Sequence, residues 1–494
     1  MPLRLHMSNR TGRWIAAAAL AGLAGALACA VNPVTGRREF SLMSESQEIA
    51  LGQESDPQIV AMYGVYSDAA VSAYVDSLGQ RLARVSHRPN LKYTFRVVDS
   101  PVINAFALPG GFVYITRGIL AHMNNEAELA IVLGHEIGHV TARHGAEQYS
   151  RQQLAGLGLG VGSILSPTVA RVGQLAETGL GLLFLKYGRD DETQADELGV
   201  QYATKAGYDP ERGVKFFEVL DRQQQESGET LPGWLSTHPA PADRVTHTQQ
   251  LAAAAKTAGT GYTVGESAHK SRIDGIVFGD DPRQGFVEGS VFKHPGLVFE
   301  WHVPDGWKVQ NTPAAVVATE PNGAAQLRLT MAEVKGMTPA TLVRQVAEKN
   351  NATILEGGEE SIHGYAAYVA VLQVPTEGGA SQRILLAAIQ REASGPIFRI
   401  LGAANGLSTW QSRLYSSIRS FGPLRDQKAL AIQPNRVRVI AVPKGETLQD
   451  AVGGFKDVPV RIGTVALLNN LLPNSPLAPG FRLKVVRGTY QEGS

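Results

Sequence analysis

The chain has 494 residues, 44% of them apolar and 18% charged. That is the balance of a folded protein, with room for about three domains at about 150 residues each. Its 46 basic and 45 acidic side chains leave a net charge of +1, which argues against nucleic acid as a partner, because such a footprint needs a clustered basic excess. A single cysteine, Cys29, excludes an intramolecular disulfide.

At the N-terminus, Arg4, Arg10 and Arg13 precede an apolar run from Trp14 to Ala28. A basic segment followed by a short apolar one reads as a signal peptide over 1–28, and the run is too short for a membrane span of about 20 residues. Ala26-Leu27-Ala28-Cys29 resembles a bacterial lipoprotein signal, with Cys29 as the lipidated residue and the membrane reached through that anchor. The usual pattern has Leu where Ala26 stands. The other reading is a secretory signal cut near Ala28, leaving a free thiol.

Residues 29–60 read as a tether, and 61–255 as the first folded domain. Ala70, Val71, Tyr74, Val75, Leu78 and Leu82 give helical spacing over 68–85. Residues 93–98 alternate as a strand. Residues 104–108 and 112–115 flank Pro109-Gly110-Gly111 as a hairpin. A long helix follows, capped by Asn124 or Asn125, with Glu126 and Glu128 in its first turn. Residues 154–185 are Gly-rich and apolar but interrupted by polar residues, which favours a packed helical hairpin over a membrane-touching flap beside the active site. Another helix spans 192–203. Residues 209–255 are helical around a loop at 236–241.

His135-Glu136-Ile137-Gly138-His139 lies within the long helix. Residues four apart share a helix face, so both imidazoles can reach one metal ion, with Glu136 beside them to hold a metal-bound water. A catalytic zinc takes three protein ligands and a water. Glu192 is the best third ligand, and Asp196, one turn on, can fix the tautomer of a ligating histidine.

Taken together, His135–His144 and Tyr187-Gly-Arg-Asp-Asp-Glu192-Thr-Gln-Ala195-Asp196-Glu-Leu-Gly199 resemble the gluzincin metallopeptidase family of the CAAX prenyl protease, HtpX and BepA, over roughly residues 40–255. The resemblance implies one zinc ion per chain, held by His135, His139 and Glu192, with Glu136 as the catalytic base and Asp196 as a supporting carboxylate. The integral-membrane members carry long apolar spans that this chain lacks, so it is more similar to the periplasmic BepA branch. Asn104 and Ala105 begin a segment similar to the family's substrate-binding edge strand. His238, in Ser236-Thr237-His238-Pro239, resembles a loop histidine of the BepA branch that approaches the zinc, and Arg244 follows in the matching stretch.

Beyond a linker at 256–289, residues 290–425 mix strands with helices near 338–350 and 408–420 and weakly resemble PsbP-like lipoprotein domains. After a break near 425–435, residues 435–491 partly resemble a LysM module, with Gly453-Gly454 a departure in the first helix, which implies either peptidoglycan as a second partner or a degenerate interaction module. The fold class is α+β: a mostly helical zincin-like domain with a small sheet, then two small α+β modules, the last separable from peptidase activity. The resemblance implies proteolysis of unfolded or misassembled proteins in the bacterial cell envelope, on the periplasmic face of the outer membrane. The rival readings are a non-proteolytic chaperone or a cell-wall scaffold that retains a zinc site.

Overall fold

The structure, a computed structural model, describes residues 29–158, 187–227, 238, 244–257, 261–332, 336–376 and 380–490. The signal peptide expected at 1–28, most of the Gly-rich stretch 154–185, and the loop 236–241 apart from His238 lie outside these residues. The fold is α+β, with several small sheets rather than one barrel.

The N-terminal part departs from the expected tether. Strands β1 (Cys29–Val31) and β2 (Arg38–Phe40) pair antiparallel, and helix α1 (Glu45–Tyr63) runs through the boundary drawn at residue 60. Glu48 of α1 is fully buried. Its carboxylate accepts from Arg88 at 3.0 Å, from Arg143 at 2.9 Å and from the Gly110 amide at 3.3 Å. A buried carboxylate needs such partners, and they lie 40–95 residues away, beyond the reach of local spacing.

Helix α2 (Ala69–Arg84) starts at Asp68, whose side chain accepts from the amides of Ala70 and Val71. It buries Val71, Val75, Leu78 and Leu82 against a three-stranded sheet. There β3 (Thr94–Val98) runs parallel to β5 (Phe112–Thr116), and β4 (Ala105–Leu108) is the antiparallel edge. The β4–β5 turn needs left-handed backbone at Gly110 and Gly111, φ 83° and 96°. Short helix α3 (Arg117–His122) leads into α4 (Glu126–Thr141), capped by Asn125 and buried along nearly its whole length. Helices α5 (His144–Gly158), α6 (Arg189–Lys205), α7 (Lys215–Ser227) and α8 (Arg244–Ala255) complete this part.

The expected linker is also folded. Helix α9 (Glu266–Ile273) lies in it, and Ile273, Ile276 and Val277 belong to the same core as α2 and α4. The middle part holds a seven-stranded antiparallel sheet between Lys308 and Ala404, with α10 (Pro339–Lys349) and α11 (Leu407–Arg419) close to their expected places.

At the C-terminus, the two strands Arg436–Ala441 and Arg482–Arg487 pair around α12 (Leu448–Gly453) and α13 (Ile462–Leu468). Thr447 caps α12, its side chain accepting from the Asp450 amide. This β–α–α–β unit is no separable appendage. Val437, Leu467, Leu468 and Val486 join the core of the first domain, and the Gly275 and Val437 backbones bond across the boundary at 2.7 Å. The composition break at 425–435 holds a short helix, Gln427–Leu430, with Ala429 and Asn435 buried.

Candidate metal centre

Helices α4 and α6 approach closely because glycines face each other. A Cβ at Gly134 would lie 2.9 Å from the Gly199 carbonyl oxygen, and one at Gly138 would lie 3.2 Å from the Ala195 Cα. That approach brings Glu192 and Asp196 of α6 onto the histidine face of α4.

His135, His139 and Glu192 converge there, joined by His238, and all four are buried. One ligand atom from each lies within 4.8 Å of the other three. The Nε2 atoms of His135 and His139 are 3.0 Å apart. Glu192 Oε2 is 3.7 Å from His135 Nε2, and Glu192 Oε1 is 3.5 Å from His139 Nε2. His238 Nδ1 lies 2.8 Å from Glu192 Oε1 and 3.4 Å from His135 Nε2.

The outer nitrogens set the tautomers. His135 Nδ1 donates to Asp196 Oδ1 at 2.9 Å. His144 Nε2 donates to Gln194 Oε1 at 2.8 Å, so His144 Nδ1 accepts from His139 Nδ1 at 2.9 Å. Both ligating rings therefore present an unprotonated Nε2 to the same point. Burial holds both histidines below the ordinary imidazole range, which keeps them neutral.

Glu136 lies beside this cluster, fully buried, and among the described residues neither of its oxygens has a hydrogen-bond partner. Burial pushes its carboxyl up to about 7. Two neutral imidazoles and a carboxylate, with a further carboxylate left for water, form the donor set of a catalytic zinc site. The residues present fit that ion.

Residues 69–252 match the family model described as Peptidase family M48. That matched segment holds all three expected ligands and Glu136. The Escherichia coli beta-barrel assembly-enhancing protease is 32% identical over 251 residues, 48% of this chain and 50% of the relative. A putative beta-barrel assembly-enhancing protease of Vibrio cholerae is 32% identical over 228 residues, 44% and 47% of the two chains. The mitochondrial metalloendopeptidase OMA1 of Schizosaccharomyces pombe is 31% identical over 217 residues, 43% and 63%. The chain thus spans about half the length of the bacterial relatives it matches. A solved cyanobacterial PsbP from Synechocystis, 16% identical, covers 28% of this chain and 94% of its own at a TM-score of 0.24.

Three further residues of the matched segment complete the site. The Tyr187 ring stacks on His139 with centroids 3.9 Å apart. His144 fixes the His139 tautomer. Arg244 donates to both oxygens of Asp196 and lies 3.2 Å from Glu192 Oε2. Burial alone would raise Asp196, but Arg244 and the His135 bond outweigh it and hold the carboxyl down at about 2. All three stand within or near the recognised motifs, yet spacing alone gave them no contact. Ala105 is buried in edge strand β4, and Asn104 immediately precedes it, its carbonyl accepting from the Thr116 amide. No helix among the described residues is long and apolar enough to cross a membrane.

Proposed function

We propose that the protein is a zinc-dependent endopeptidase of the cell envelope. The observation that carries this reading is the buried Glu136 carboxylate, without a hydrogen-bond partner among the described residues, beside three converging ligands. His135, His139 and Glu192 would hold the ion. Zinc in such a site polarises the scissile carbonyl and lowers the pKa of its water to about 7. Glu136 takes the proton of the attacking water on a carboxylate oxygen and delivers it to the leaving amine nitrogen. Asp196 and His144 hold the ligand rings in register through that transfer. The edge of β4, beginning at Asn104 and Ala105, aligns an extended peptide through backbone hydrogen bonds, which accept almost any sequence.

The substrate class we infer is unfolded or misassembled envelope protein. The relatives named for β-barrel assembly support it, and so does a recognition mode that reads backbone rather than side chains. Cys29 carries the lipid anchor in this reading, on the periplasmic face of the outer membrane, and the C-terminal unit contacts peptidoglycan. The deciding experiment measures zinc content and casein digestion of wild type and Glu136→Gln. About one zinc in each protein, with digestion lost only in the variant, supports the reading. Cleavage retained by the variant overturns it.

A further inference from the structure

We propose that Lys484, in the last strand of the C-terminal unit, is a positioning residue for the helix that carries His135 and His139. The peptidase site would then include a unit that begins almost 300 residues after its catalytic motif. This rests on the peptidase reading above.

The strand Arg482–Arg487 is buried on both faces. Leu483 and Val485 point into the unit's own core, whereas Val486 joins the peptidase core. Strand alternation puts Lys484 on the face of Val486, and the residue is fully buried. On a unit standing alone that face would be solvent-exposed, and a lysine there would be unremarkable.

Its ammonium goes to a specific place. Lys484 Nζ donates to the carbonyl oxygens of Ala121 at 2.8 Å and Met123 at 2.7 Å. These are end-of-helix carbonyls. Helix α3 stops at His122, and α4 starts at the extended Asn125 cap, so the usual i+4 donors are displaced. The same turn is held on its other side by Glu128, which accepts from the Asn124 amide at 2.6 Å and from Asn125 Nδ2 at 2.8 Å. The Glu128 and Lys484 charges attract each other, opposing the burial that pushes Lys484 well below the ordinary lysine range. Asn469 fixes Lys484 in turn. It accepts from the Lys484 amide at 2.9 Å and donates to the Lys484 carbonyl at 2.8 Å.

Helix α4 is buried and runs without a break from this turn to the candidate metal centre. His135 lies nine residues beyond Glu126, about 13 Å along the axis. Axial slip at the turn therefore moves both histidine ligands and Glu136 together, past a stationary Glu192. Misplacement by about 1 Å can cost about 100-fold in rate.

The test uses the full chain and two variants. Lys484→Met removes the donor but strands the Glu128 charge, so it can fail to fold. Lys484→Met/Glu128→Gln removes both groups and releases the Ala121 carbonyl, while the Met123 carbonyl keeps only the bond from His269 Nε2 at 3.1 Å. The double variant is expected to keep about one zinc, to lose about 10-fold in kcat with KM within about twofold, and to exchange the amides of 121–128 faster. The visible spectrum of its Co2+-substituted form should also shift. A folded double variant with wild-type kcat, spectrum and amide protection overturns the proposal.

Native-state hydrogen exchange of the unaltered chain in low urea decides the matter if neither variant folds. Residues 121–128 and 482–487 should open as one unit; opening of 482–487 alone overturns the proposal. Absence of peptidase activity from both the wild-type chain and His238→Ala would refute the function proposed above, while the cobalt spectrum and exchange data would still judge Lys484.

Discussion

Arg244 donates to both oxygens of Asp196, at 2.9 and 2.7 Å, and the same carboxylate accepts from the Nδ1 of His135. A carboxylate gripped this way cannot rotate away from the ligand ring. Asp196→Ala is expected to weaken zinc retention about 10–100-fold, the usual effect of removing such a partner. Arg244→Lys should lower it too, because an ammonium cannot reproduce the two parallel bonds. Chelator competition measures both. Unchanged zinc affinity in Asp196→Ala would reduce the residue to a structural ion pair.

Close helix approach gives the second prediction. Alanine at Gly134 would gain about 1 kcal/mol from helix propensity. Its Cβ, however, would sit 2.9 Å from the Gly199 carbonyl oxygen, a backbone atom with nowhere to move. Overpacking of this kind costs about 1–3 kcal/mol, so the overlap should win. Gly134→Ala is expected to denature at lower urea concentration and to hold zinc less tightly. A variant more stable than wild type would show that propensity decides and that the contact is loose.

The site was legible in the sequence to different depths. The His135–His139 spacing needed only helical periodicity, whereas the Glu192–Asp196 pair stood out because it follows that motif on a separate helix and because of the family resemblance. The β4–β5 hairpin announced itself through Pro109-Gly110-Gly111. Glu48 was not legible, because its three partners come from elsewhere in the chain and α1 has no strong apolar face. Lys484 was not legible either, since a polar residue in an alternating strand ordinarily faces solvent and its partners Ala121 and Met123 lie more than 360 residues away. The strand Thr353–Ile362 was missed for the opposite reason: it is an exposed edge of the middle sheet, rich in Glu and Gly.

Glu48 therefore yields a prediction of its own. Glu48→Ala leaves the buried Arg88 and the partly buried Arg143 without their shared carboxylate, Arg88 keeping the exposed Glu45 at 2.8 Å. Removing one partner of a buried ion pair typically costs about 3–5 kcal/mol, and thermal denaturation should register a loss of that order. Deleting residues 29–60 should be at least as damaging. A deletion variant with wild-type stability would restore the segment to the status of a tether.

For the anchor, Cys29→Ser is expected to abolish incorporation of a fatty-acid analogue and to release the protein from membranes. The residue after the cysteine is Ala30, not an acidic inner-membrane retention signal, so the labelled wild type should fractionate with the outer membrane of a two-membrane host. An unlabelled wild-type protein rejects the anchor.

The last prediction concerns His238. It is fully buried, with Nδ1 2.8 Å from Glu192 Oε1 and Nε2 3.6 Å from Glu136 Oε1. A neutral imidazole is a good zinc ligand, and His238 belongs to the same four-residue group as the three expected ligands. If it takes the fourth position, it displaces the water that Glu136 must activate, and the resting enzyme is latent. If it stands back, it stabilises the tetrahedral oxyanion, a role whose loss costs about 100–1,000-fold in rate. The two roles predict opposite outcomes. We expect the gate, because His238 lies nearer to Glu192 than to Glu136, and because latency would suit the proposed envelope protease with its backbone-reading edge. His238→Ala should then digest casein faster than wild type and cleave itself more readily, at unchanged zinc content. A fully zinc-loaded His238→Ala protein with activity reduced about 100-fold would assign the oxyanion role instead.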